Sequence, residues 1–91
     1  MITVRLSDYR IDDANQRVTC LAEVERDGEP VYTSQVIIPL AAIANRMQTY
    51  GLAEPMDGVR AIMREHCEMW LGLKHKGGLR KDIAIEGLAP A

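Results

Sequence analysis

The residue types that could do chemistry crowd into one stretch of this 91-residue chain, REHCEMW, residues 64–70. His66 stands beside Cys67, with Glu65 and Glu68 on either side. Three readings compete: a metal site, a thiol nucleophile with its base, or one face of an ordinary helix. A zinc site of the HExxH kind needs two histidines four apart on one helical face, and position 70 is Trp. A cysteine nucleophile needs a nearby cation to stabilise its thiolate and a cleft to admit substrate. At about 100° per residue, Val59, Ile62, Met63, His66, Trp70 and Leu73 fall in one apolar stripe. His66 is at its middle, Cys67 at its edge, and His75 roughly opposite. The spacing therefore predicts a core-facing histidine. It assigns no catalytic residue, no metal and no cofactor. A thiol enzyme acting through Cys20 or Cys67 is the second alternative function, and burial among apolar groups would raise either thiol and leave it inert.

Carboxylates are the next candidates. Asp8, Asp12 and Asp13 crowd one segment but lack the Asp-x-Asp-x-Asp-Gly pattern of a calcium loop. Glu23 and Glu25 alternate along a strand, whose flat surface offers no cleft for paired-carboxylate catalysis. Charge is unevenly spread. Residues 1–31 carry seven acids and four bases, whereas residues 32–91 carry six acids and seven bases. Asp12, Asp13, Glu23, Glu25, Asp27 and Glu29 thus suggest an acidic surface, suited to a basic groove on a partner, including one meant for nucleic acid. Exposure of Leu21 among these acids would strengthen an interface, and an unpaired strand edge is a further docking route. In KHKGGLRK, Lys74, Lys76, Arg80 and Lys81 bracket a glycine pair and could hold a phosphate or nucleic acid as an alternative. The glycines follow a helix rather than open one, and GxxxxGK[ST] is absent, so it is not a P-loop. A net charge of −2 also runs against general nucleic-acid binding.

Composition bounds the rest. Apolar residues make up 47% and charged residues 26%, enough for one modest core. One domain over residues 1–88 with a flexible tail at 89–91 is expected. There is no Phe, so aliphatics and five Met fill most of the volume. A Met-rich helix pair that a small sheet does not fully cover allows a homodimer. No run of 18 apolar residues exists, and MITVRLSDYR lacks the plan of a signal peptide. The chain reads as cytoplasmic, with no membrane partner and with Cys20 and Cys67 reduced.

The elements that must position these groups follow from periodicity. ITVRL (2–6) alternates as a short strand, and residues 7–16 read as a polar loop anchored by Tyr9 and Ile11. RVTCLAEVER (17–26) alternates again, and VYTSQVII follows a turn. A three-residue Arg26-Asp27-Gly28 loop with Gly28 in a bulge pairs Val18 with Val36 and Ala22 with Tyr32. That register puts Tyr32, Val36 and Ile38 on the face of Val18, Cys20 and Val24; a two-residue Asp27-Gly28 loop does not. Pro39 opens a helix that Gly51 stops. A second helix starts near Asp57, which can cap it, and runs to about Lys76. DIAIE forms a last strand that could join a sheet edge. The order is β-β-β-α-α-β: an α+β sandwich with an antiparallel meander and two helices on one face.

The run YRIDDANQRVTCLAEVERDGEPV, followed by helices containing VRAIMREHCEMW, resembles a family of small bacterial proteins of unknown function. Asp12, Gln16, Val18, Val24, Asp27, Gly28 and the helix around Arg64 to His66 carry the likeness, which covers about two thirds of the chain. It implies a β-β-β-α-α-type fold and no activity. In size and acidity the chain is also similar to phage-encoded inhibitors such as anti-CRISPR proteins. The expectation is a non-catalytic protein-interaction module working through an acidic sheet face or a strand edge, as an inhibitor of a larger machine.

Overall fold

The computed structural model describes residues 1–74 and 80–87. Strands β1 (Ile2–Asp12), β2 (Arg17–Arg26) and β3 (Glu29–Pro39) form a meander, followed by helices α1 (Leu40–Tyr50) and α2 (Pro55–Trp70) and a short strand β4 (Ile83–Glu86). The sheet order is β3-β2-β1-β4. β1–β2 and β2–β3 are antiparallel, and β4 runs parallel to β1. The α+β class and the element order are those the sequence predicts. The tail at 89–91 lies outside the described residues.

Alternation places one apolar row per strand beneath the helices. Val4, Val18, Val24, Ile38 and Ile83 are essentially inaccessible to water, and Val59, Met63 and Cys67 meet them from α2. α1 and α2 approach closely at Gly58: a β-carbon there would sit 3.0 Å from both Cγ2 and the carbonyl oxygen of Ile43. Arg46 of α1 grips Glu65 of α2 through two hydrogen bonds, of 2.5 and 3.1 Å.

Four details differ from the sequence reading. First, the polar run 7–12 belongs to β1. The register with β2 shifts between Ser7 and Arg10, Asp8 takes a φ of 52°, and pairing then resumes through Ile11–Val18 and Asp12–Arg17. Main-chain pairing holds this segment in the sheet although its side chains give a weak apolar alternation. Only residues 13–16 form the loop.

Second, the β2–β3 register is neither of the two weighed. The turn is the two-residue one, with both Asp27 (φ 52°) and Gly28 (φ 84°) left-handed, and Arg26 faces Glu29. The extra residue comes later. Glu25 pairs with Pro30 and Val24 with Tyr32, so Val31 bulges. The bulge restores the expected face by another route: Cys20 pairs with Val36 and Val18 with Ile38.

Third, α2 begins at Pro55, with Glu54 in the cap position and Asp57 inside the first turn, where it bonds Arg60 at 2.8 Å. Proline suits a first helical position because its missing N–H has no partner there. Fourth, α2 ends at Trp70 rather than near Lys76. Leu73 N–H bonds to the Glu68 carbonyl at 2.8 Å and Gly72 N–H to that of Met69 at 3.3 Å, with Gly72 at a φ of 64°. This double closure over a left-handed glycine also ends α1, at Gly51-Leu52.

Candidate functional site

REHCEMW is the last part of α2, and its groups separate. Cys67 is fully buried in the core, while His66, predicted at the centre of the apolar stripe, is half-buried. The correction has a geometric cause. The last turn of α2 reaches Tyr32, on the outermost strand, and the Trp70 ring stacks on Tyr32 with centroids 5.1 Å apart. Water therefore reaches the C-terminal end of the stripe. His66 meets Trp70 edge-on at 5.6 Å and 86°. Burial holds its imidazole below the usual histidine pKa. Among the described residues it hydrogen-bonds to no cysteine or carboxylate.

Desolvation dominates both thiols. It raises Cys20, and it pushes Cys67 up to about 11 against the weaker pull of Arg80. Neither is held as a thiolate at neutral pH. No group of three metal-binding side chains occurs among the described residues, and no described helix is long and apolar enough to cross a membrane.

The six acids of the predicted surface do not form one patch. Asp12 and Asp13 lie at the β1–β2 loop, whereas Asp27 and Glu29 lie at the opposite end of β2, about 30 Å away at the usual strand rise. Asp12 organises its own loop: its carboxylate accepts from Asn15 N–H (3.2 Å), Asn15 Nδ2 (2.8 Å) and Arg17 Nε (3.0 Å). The Asn15 hydrogen bond, with Arg17 behind it, holds Asp12 below the usual carboxylate range. Asp27 pairs with the N-terminal ammonium at 2.6 Å, which lowers its pKa in turn.

Glu23 and Glu25 do come together, on the face of the sheet opposite the helices. There Arg5 of β1 lies opposite Glu23, bonds Glu25, and reaches Glu86 of β4 at 3.3 Å. Two carboxylates thus pair with one guanidinium, and a third, Glu23, sits across the strand from it. Glu86 escaped the sequence reading because only the parallel pairing of β4 beside β1 brings it to Arg5. Farther along the same face the surface turns apolar. Leu21 is half-buried, while Ile37, diagonal to it on β3, is 55% exposed. Ile37 was legible only as a strand residue; its exposure follows from the sheet carrying helices on one side.

The basic segment is described in part. Lys76 lies outside the described residues. Lys74 and Lys81 are exposed. Arg80 is held in place: it donates to Asp82 at 2.7 and 3.1 Å, to Glu68 at 3.4 Å and to the Lys74 carbonyl at 3.0 Å. Its guanidinium closes the chain over the end of α2 rather than standing as an open cation. Elsewhere, Tyr9, Ile11, Val18, Leu40, Ile43 and Met47 line a cavity of about 280 Å³ between β1 and α1. Its lining is apolar, so it can take up an apolar group but supplies no acid, base or nucleophile beyond the Tyr9 hydroxyl.

In comparisons with known proteins, no family model, no curated protein and no solved structure matches this chain.

Proposed function

We propose that this chain is a non-catalytic protein-interaction module that docks the bare face of its sheet on a basic protein surface. The observation that carries the reading is the composition of that face: Glu23, Glu25 and Glu86 gathered around Arg5, next to Leu21 and an exposed Ile37. Acids flanking an apolar spot combine an attractive field for a basic partner with area to bury. Of the predicted acids, Glu23 and Glu25 belong to the docking face, Asp27 and Glu29 lie at its rim, Asp12 is at the far end of the same face, paired with Arg17, and Asp13 lies in the loop beyond it. A groove built for nucleic acid is the partner chemistry that fits best. Occupying it would make the chain an inhibitor, in the manner of phage-encoded inhibitors such as anti-CRISPR proteins, acting in the cytoplasm. The buried, raised thiols favour this reading over a cysteine enzyme.

Capture from a bacterial lysate on immobilised protein tests it. Partner retained by the wild type should be released by heparin, and Glu23→Lys with Glu25→Lys should abolish its capture without lowering the melting midpoint. Undiminished capture by the double variant refutes the proposal.

A further inference from the structure

Among the described residues the sheet has two edges with no further strand, and they are built differently. On the β1 side, β4 covers Ile2–Arg5 and Gly87 lies against Leu6, and among the described residues no strand pairs with residues 7–12 on that side. That free stretch carries Asp8, Arg10 and Asp12, and its pairing with β2 is interrupted between Ser7 and Arg10. Charges and a bulge are the devices by which edge strands avoid pairing with other chains. β4 itself is only four residues long. The β3 edge has its devices at the ends alone: Pro30 with the Val31 bulge at one, Pro39 at the other. From Tyr32 to Ile38 it carries no charge, no proline and no irregularity. The one charged residue of β3, Glu29, lies at its start, before Pro30. Three of the six exposed large apolar side chains among the described residues, Val31, Tyr32 and Ile37, lie on this one strand.

We propose that the β3 edge pairs with the β3 edge of a second copy of this chain, antiparallel and two-fold, to make a continuous eight-stranded sheet. A two-fold axis at Gln35 sets Thr33 opposite the second copy's Ile37, Ser34 opposite Val36 and Tyr32 opposite Ile38. Each pair keeps its own face of the sheet, because the sum of the paired positions is even. No charge faces a like charge across the seam, which is the condition that an edge rich in acids or bases fails when it meets itself. The exposed Ile37 gains a β-branched neighbour. Both acidic faces then lie on the same side of one sheet. A homodimer is expected from sequence on the strength of methionines in the helices; Met63 is buried, Met47 and Met56 are half-buried, and of the four helix methionines only Met69, near the end of α2, is exposed. The uncovered strand edge supplies the interface instead. This inference stands on β3 alone and does not depend on the acidic face binding a partner.

Sedimentation equilibrium on the purified chain tests it, with melting curves confirming that each variant is folded. The wild type should reach twice the chain mass within a micromolar concentration series. Thr33→Lys with Ile37→Lys places lysine against lysine twice across the seam and should weaken dimerisation about tenfold or more. Thr33→Glu with Ile37→Lys places opposite charges at the same two points and should restore it. Glu23→Lys with Glu25→Lys should leave it unchanged, which separates this result from the fate of the acidic-face reading. A wild type that stays monomeric, a dilysine variant that dimerises like the wild type, or a charge-matched variant no better than the dilysine one overturns the pairing.

Discussion

The two faces of this sheet carry similar numbers of side chains and opposite burdens. The face under α1 and α2 is aliphatic and closed: Val4, Ala22 and Val24 have no measurable exposure, nor has Val59, which meets them from α2. The bare face has Thr3, Arg5, Glu23, Glu25, Thr33 and Gln35 in the same strands at alternate positions. Folding free energy comes from removing apolar area from water, so the covered face accounts for most of it. The bare face is therefore free to vary in charge at little cost in stability. A surface so released can be shaped by a partner, and the Leu21–Ile37 spot beside three carboxylates is what such shaping would leave.

Substitutions should separate the faces by size of effect. Met63→Ala removes a fully buried side chain from the covered face and should cost about 2–5 kcal/mol in urea unfolding. A loss well under 1 kcal/mol there would mean that the helix layer is loosely packed and the contrast false. A smaller effect distinguishes Arg80 from its neighbour. Arg80→Ala should lower the melting midpoint measurably, because it removes the bonds to Asp82, Glu68 and the Lys74 carbonyl, whereas Lys81→Ala should not. Equal midpoints would restore Arg80 to the list of open cations and revive anion binding by the Lys74–Lys81 segment.

The smallest expected effect is a pH slope at the margin of the covered face. His66 has a folded-state pKa below the ordinary 6.5, from burial. In the window between the two values the unfolded chain binds the proton and the folded chain does not, so stability rises with pH there and is lost as pH falls below the unfolded value. Asp12 and Asp27, lowered by their hydrogen bonds, add a separate loss at more acid pH, as it falls from the ordinary carboxylate value through their folded-state values. His66→Gln should flatten the upper slope and spare the lower one. An unaltered upper slope would show that His66 is solvated like the bare face.

Much of this was legible in the sequence, for stated reasons. Alternation in ITVRL and RVTCLAEVER and helical spacing after Pro39 and across 59–70 gave the order of elements, because each period reports a buried face directly. What escaped was non-local or local in ways that periodicity does not encode. The Val31 bulge follows Pro30 and depends on the pairing of two strands. Helical spacing does not register the stop at Gly72, although Gly72-Leu73 repeats the Gly51-Leu52 ending of α1. The second half of β1 looked like a loop because its alternation is weak and its main-chain bonds cannot be read from side chains. In the site, Glu23 and Glu25 were found by alternation, but Arg5 and Glu86 join them only through the sheet order. Asp12 and Asp13 are near Glu23 in sequence and distant in space because β2 runs the length of the sheet between them.

The most direct test of the bare face as the working surface is carboxylate footprinting by mass spectrometry, comparing the free protein with its captured complex. The account predicts that Glu23, Glu25 and Glu86 lose reactivity on binding while Glu54, at the start of α2, keeps it. Protection of Glu54 with Glu23 and Glu25 unchanged would place the partner on the helices and contradict the account.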